Sequence, residues 1–225
     1  MRRSQTYGES EDDDMSILRN PITRMAEMTI AAEKQSSSGW KYFIDDEKLI
    51  DVTHLGIITL SSVAVGYGVK ELLDRSVGKY WKSNKAAPHT LFLEFQKVVD
   101  VAYVVIYLDY AHDESYCPEK IQIDMGWSST NIFKTVTRTF EKPQGWQIFD
   151  MKDEKSHPTR GMLLTLTVLS NHEGGRDCTI RHFRAIGPEV SRFDPLVKLN
   201  SFKDDDDKFC DDTSILPFNI ESNLR

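Results

Sequence analysis

Apolar residues in this chain recur mainly at a spacing of two, in runs too short and too often interrupted to be helices. Leu91, Leu93 and Phe95 alternate with Phe92 and Glu94, and Ile121, Ile123 and Met125 alternate with Lys120, Gln122 and Asp124. Such a pattern puts one set of side chains on each face of a strand. Trp146 and Ile148 alternate in the same way with Gln147 and Phe149. The threonine-rich stretch Ile132 to Phe140 suits a sheet edge, and the near-continuous apolar run from Val98 to Leu108 predicts a central strand buried on both faces. Pro143-Gln144-Gly145, His157-Pro158 and Gly161 supply turn signals between the runs. Many short strands with no long helices between them predict an all-β, antiparallel sandwich or barrel.

The segment Leu163 to Ile186 reads as strand, loop, strand. Leu164, Leu166 and Val168 alternate with Thr165 and Thr167, and after the loop Ile180, His182, Arg184 and Ile186 share one strand face, with Thr179, Arg181, Phe183 and Ala185 on the other. The loop gathers Asn171, His172, Glu173, Arg176 and Asp177 around Gly174 and Gly175. Two glycines allow a sharp turn that pushes the polar side chains outward together. A β scaffold presenting a dense polar loop is a common layout for a binding site; a solvated hairpin loop has the same composition. Nearer the start, Leu55 to Val65 predicts a strand closed by Gly66-Tyr67-Gly68, and Val69 to Leu73 a single helical turn. The stretch from Asp74 to Pro88 lacks periodicity and reads as a loop pinned by Tyr80 and Trp81, which, like Trp146, suit core or bracing positions; His89 and His157 adjoin prolines and read as turn residues.

The 225 residues, 40% hydrophobic, suit one ordinary domain, 39–190, between tails at 1–38 and 191–225. Both tails read as mostly flexible, with acidic clusters at Glu11 to Asp14 and Asp204 to Asp207, and the second finishes with apolar Ile215, Leu216, Phe218, Ile220 and Leu224. Asn20-Pro21, followed by Ile22, Met25, Thr29 and Ala32 at helical spacing, predicts a short amphipathic helix that orders against a partner. A net charge of −7 argues against a nucleic-acid face, and no apolar run approaches membrane-spanning length. The opening residues have two arginines but no apolar core after them, unlike a secretory signal. Three cysteines, Cys117, Cys178 and Cys210, suit a reducing compartment, so nucleus and cytoplasm are the expected locations.

Several motifs occur in one order: Gly68-Val-Lys-Glu-Leu72, Tyr80-Trp81-Lys-Ser83, Pro88-His89, Asp113-Glu-Ser-Tyr116, Pro118, Gly145-Trp146, Pro158-Thr-Arg160 and Ser170-Asn-His-x-x-Gly-Arg-Asp177. Together they resemble the DOC domain, as carried by a subunit family of the anaphase-promoting complex (cyclosome), over roughly residues 46–188. The resemblance implies a jelly-roll β-sandwich of the discoidin and galactose-binding type, with no catalysis and no cofactor. It also implies a co-receptor role beside the complex's WD40 activator subunit, for substrates bearing a destruction box. The degron face it implies comprises Ser115, Asn171, His172, Arg176 and Asp177. Of these, Ser115 and His172 are favoured for direct contact, whereas Arg176 and Asp177 equally suit a mutual pair that braces the loop. Asp113, Glu114, Glu173 and Asp177 offer charge to a cationic degron. Gly174 stands where the family commonly has asparagine, and Cys117 where it commonly has threonine. Leu224-Arg225 is similar to the Ile-Arg tail that docks into a tetratricopeptide-repeat subunit of the complex, which also holds RING and cullin-like subunits.

Two other classes make different demands on the residues. A cupin-type metal enzyme needs His-x-His spacing, which His54, His89, His112, His157, His172 and His182 lack; Cys178 and His182, placed on one strand face, do not complete a zinc site. A carbohydrate- or peptide-binding jelly roll outside the complex is the remaining alternative.

Overall fold

The computed structural model describes residues 32–44, 46 and 48–189; the helix expected at residues 20–32, apart from Ala32, and the tail with Leu224 and Arg225 lie outside them. Two antiparallel sheets face each other. The smaller has the order β1 (Leu49–Asp51), β11 (His182–Pro188), β5 (Tyr103–Asp109), β8 (Gln144–Asp150). The larger has the order β2 (Gly56–Leu60), β4 (His89–Val101), β9 (Thr159–Asn171), β6 (Pro118–Ser128), β7 (Asn131–Thr139). A short pair, β3 (Trp81–Lys82) with β10 (Thr179–Ile180), sits beside them.

The alternation read from the sequence sets the register of the larger sheet. Leu91 pairs with Leu166, which pairs in turn with Ile123; Leu93, Leu164 and Met125 form the next row. All six are fully buried, and each contributes about 1.5–3 kcal/mol by leaving water. Val104, Ile106, Leu108, Phe149, Phe183 and Ala185 of the smaller sheet close the same core. His89 lies in the row of Val168 and Ile121 and is fully buried. It therefore opens a core strand rather than serving as a turn residue.

Three local expectations change. The run from Val98 to Leu108 is two strands, because the chain leaves the larger sheet at Val101 and enters the smaller at Tyr103. The Ala102 N–H donates to the Ile186 carbonyl at 2.8 Å, and its own carbonyl accepts from Met151 at 2.9 Å. A continuous apolar run has the same periodicity in either arrangement. The strand expected from Leu55 to Val65 ends at Leu60. Arg181 interrupts the last strand, so Ile180 joins the inter-sheet core, whereas His182 meets Trp146 edge-on and Ile186 belongs to a second cluster. Cys178 accordingly belongs to the inter-sheet core, while His182 packs against Trp146 of the second cluster.

That second cluster covers the outer face of the smaller sheet. Trp40, Ile44, Val105, Tyr107, Trp146 and Ile186 pack together with Leu49, Val77, Tyr103 and Ile148. The Trp146 Nε1–H donates to the Lys34 carbonyl at 2.9 Å, and Ser36 bridges to Ser76. Ordered packing thus reaches back before Gly39. Along the opposite side, Arg138 and Lys134 of β7 donate to the carbonyls of Ile148 and Lys152 at 2.6 and 2.7 Å, joining the two sheets.

Candidate functional site

Strand register brings two polar loops together. Residues 110–117 lead into β6 and residues 172–178 leave β9, and Pro118 pairs with Asn171 where those strands begin and end. The His172 N–H donates to the Cys117 carbonyl at 3.0 Å. Gly175 lies so close to the other loop that a Cβ there would fall 1.7 Å from the Ser115 carbonyl oxygen. Gly174 has φ +69°, a region that glycine and asparagine share, so an asparagine would keep this backbone. Glu114 and Glu173, at φ 45° and 55°, occupy the left-handed side of backbone space with ordinary side chains, a mark of loops held by their surroundings.

The residues expected to touch a ligand divide into two groups. Asn171 is 4% exposed, and its Nδ2 donates to the carbonyls of Gly175 and Asp177 at 3.1 and 2.9 Å. His172 is 8% exposed; its Nε2 accepts the Lys142 N–H at 3.3 Å, and its ring packs 4.9 Å from that of Tyr110. Both side chains hold the loop from within. Arg176 is exposed, Ser115 and Asp177 are half-buried, and Tyr116 is exposed beside them. Arg176 and Asp177 form no ion pair with each other among the described residues.

Two of the expected charges are already engaged. Asp113 is buried and takes both prongs of the Arg181 guanidinium, at 2.8 Å from Nε and 2.6 Å from Nη2. Burial pushes the Asp113 carboxyl up, and the hydrogen bonds from Arg181 pull against that shift. Glu173 accepts the Tyr110 hydroxyl at 2.8 Å, which raises the phenol above its ordinary value. Free charge at the rim therefore comes from Glu114, Arg176 and Asp177. Tyr110, Lys142 and Arg181 are the parts of this frame not visible as such in the sequence. Tyr110 and Arg181 each stand just outside a motif and Lys142 lies far from both, so only the packing of loop ends shows that they belong to one frame. Burial pushes the thiols of Cys117 and Cys178 up to about 12, so both are inert.

The family model described as anaphase-promoting complex, subunit 10 (APC10), matches residues 22–210. The chain belongs to this family. Among curated APC10 proteins, it is 40% identical over 168 residues to anaphase-promoting complex subunit 10 of Caenorhabditis elegans, covering 74% of this chain and 79% of that one. It is 34% identical over 130 residues to the Homo sapiens subunit, covering 58% and 70%. Its fold resembles a family 32 carbohydrate-binding module from Clostridium perfringens NanJ, solved with galactose, at a TM-score of 0.51. That match has 12% identity and covers 61% of this chain and 98% of the module, so the jelly-roll sandwich is shared. The APC10 relatives are named as subunits of a complex.

Gly175→Ala is expected to part the two loops while leaving the sandwich folded. Overpacking of this kind costs about 1–3 kcal/mol, so amides in residues 114–117 and 172–177 should exchange with solvent roughly ten- to a hundredfold faster. Unchanged exchange there would show that the contact does not hold the loops.

Proposed function

We propose that this chain is a non-catalytic subunit of the anaphase-promoting complex that contacts the destruction box of substrates, as co-receptor with the WD40 activator. The apposition of Gly175 with the Ser115 carbonyl carries the proposal. It makes one rim of two loops, exposing Arg176 and Tyr116 beside Ser115, and Asn171 and His172 keep that rim in shape. An extended peptide with a cationic residue and polar followers suits Glu114, Asp177 and the loop amides. Each contact is weak, since a flexible degron loses ordering entropy on binding. The gain is therefore in residence time when the activator holds the same peptide. Leu224 and Arg225 tether the chain to a tetratricopeptide-repeat subunit, beside the cullin-like part of the complex, in nucleus and cytoplasm.

The experiment is a reconstituted complex carrying Ser115→Ala with Arg176→Ala. Substrates should leave with fewer ubiquitins per encounter, about three- to tenfold down in processivity, the equivalent of roughly 1 kcal/mol of lost contact. Assembly should be unaffected. Full-length chains formed at the wild-type rate per encounter would refute the co-receptor role.

A further inference from the structure

The rim is held from beneath by one buried ion pair. Arg181 stands at the break between β10 and β11, where its N–H donates to the Tyr107 carbonyl at 3.1 Å. Its side chain, 12% exposed, reaches Asp113, whose side chain is 7% exposed. The Tyr80 ring covers the guanidinium at 5.4 Å and is itself stacked on Tyr67 at 4.9 Å. Asp113 lies two residues before Ser115, across the positive-φ residue Glu114. On the far side of Ser115, the Lys82 ammonium sits 4.0 Å over the Tyr116 ring. The loop is thus clamped on both sides of its half-buried serine, once by a buried fork and once at the surface.

We propose that Arg181 is the positioning residue of this rim: its two-pronged bond to Asp113 sets where Ser115 and Tyr116 stand to meet the degron. The proposal rests on the degron reading given above. A buried pair of this kind adds little net stability, because desolvation of both charges offsets their attraction, and an apolar pair of similar size is often neutral. What the pair supplies is geometry. A planar fork with two fixed donors accepts a carboxylate in one orientation, which a lysine cannot reproduce.

The test uses the full chain in the reconstituted complex with activator and a destruction-box substrate. In the double variant Asp113→Leu with Arg181→Met, the chain should co-purify with the complex and melt within a few degrees of wild type. Its half-saturating substrate concentration should rise about tenfold, with maximal rate unchanged, as for loss of one good contact. Arg181→Lys, which keeps the charge, should still give a rise of about threefold, the share that depends on the fork and that charge alone does not restore. Ser115→Ala with Arg176→Ala serves as the reference. Wild-type half-saturation in a folded double variant, with the reference variant impaired, would overturn the positioning role and leave the degron reading standing. If the reference variant also behaves as wild type, the degron reading fails and the positioning role with it. If the double variant does not fold, Arg181→Lys decides: wild-type half-saturation overturns the proposal.

Discussion

Trp81→Ala is expected to cost about 3–5 kcal/mol of stability, the range for deleting a large aromatic from a closed core. Trp81 is fully buried, and its indole N–H donates to the Ser62 carbonyl at 2.9 Å. Its strand pairs with Thr179 and Ile180, and Lys82 exchanges backbone hydrogen bonds with the 61–68 loop through Tyr67 and Ala64. Losing the ring therefore opens a cavity and orphans a carbonyl, and it also frees the segment that connects the 61–68 loop to the last strands. For a domain of this size, the melting temperature should fall by roughly 6–20 °C. Trp81→Phe keeps most of the volume and loses the donor, so it should cost about 1–3 kcal/mol. Denaturant titration of both variants checks the order; an alanine variant within 1 kcal/mol of wild type would mean the site collapses around the change.

Acidification should destabilise the domain before its carboxylates titrate. His182 is fully buried, and burial, with the nearby Arg184 charge, lowers its pKa from 6.5 to about 4, although Nδ1 lies 2.7 Å from the Leu72 carbonyl and Asp51 pulls the other way. The folded chain therefore holds the ring neutral. Above pH 6.5 neither state carries the proton and the full stability is present. As pH falls from 6.5 towards 4, the unfolded chain gains a proton that the folded chain refuses. About 3 kcal/mol should be lost across that window, at 1.36 kcal/mol for each of roughly 2.5 pH units. Burial depresses His89 in the same direction. His182→Gln should flatten the dependence between pH 6.5 and 4. An unaltered slope in that variant would place the titrating group elsewhere.

The strands of the larger sheet were legible because each has one face on the core and one on water. Period two is strong in β4, β6 and β9, where Leu91, Ile123 and Leu166 end in one row. The smaller sheet was less legible, because β5 is buried on both faces under a second cluster built on Trp40 and Trp146. With no polar face to mark its ends, β5 merged in the sequence with β4. The loop motif at residues 170–177 was visible as a polar cluster, and the motif order gave its family. The division of labour within it was not visible. Whether Asn171 and His172 face solvent or their own loop depends on Lys142, Tyr110 and the backbone of Gly175, which no local pattern links to them. Asp113 reads as a free acid until Arg181, 68 residues later, is folded beside it.

The bonds from Arg138 and Lys134 to Ile148 and Lys152 have a consequence for a copy of this chain outside any complex. They spend two cationic side chains on main-chain oxygens that would otherwise greet a foreign polypeptide. Strand-by-strand growth from that flank is discouraged, as flat open margins invite it and charged ones do not. At Ile148 the outer margin of β8 is thereby closed to an incoming strand.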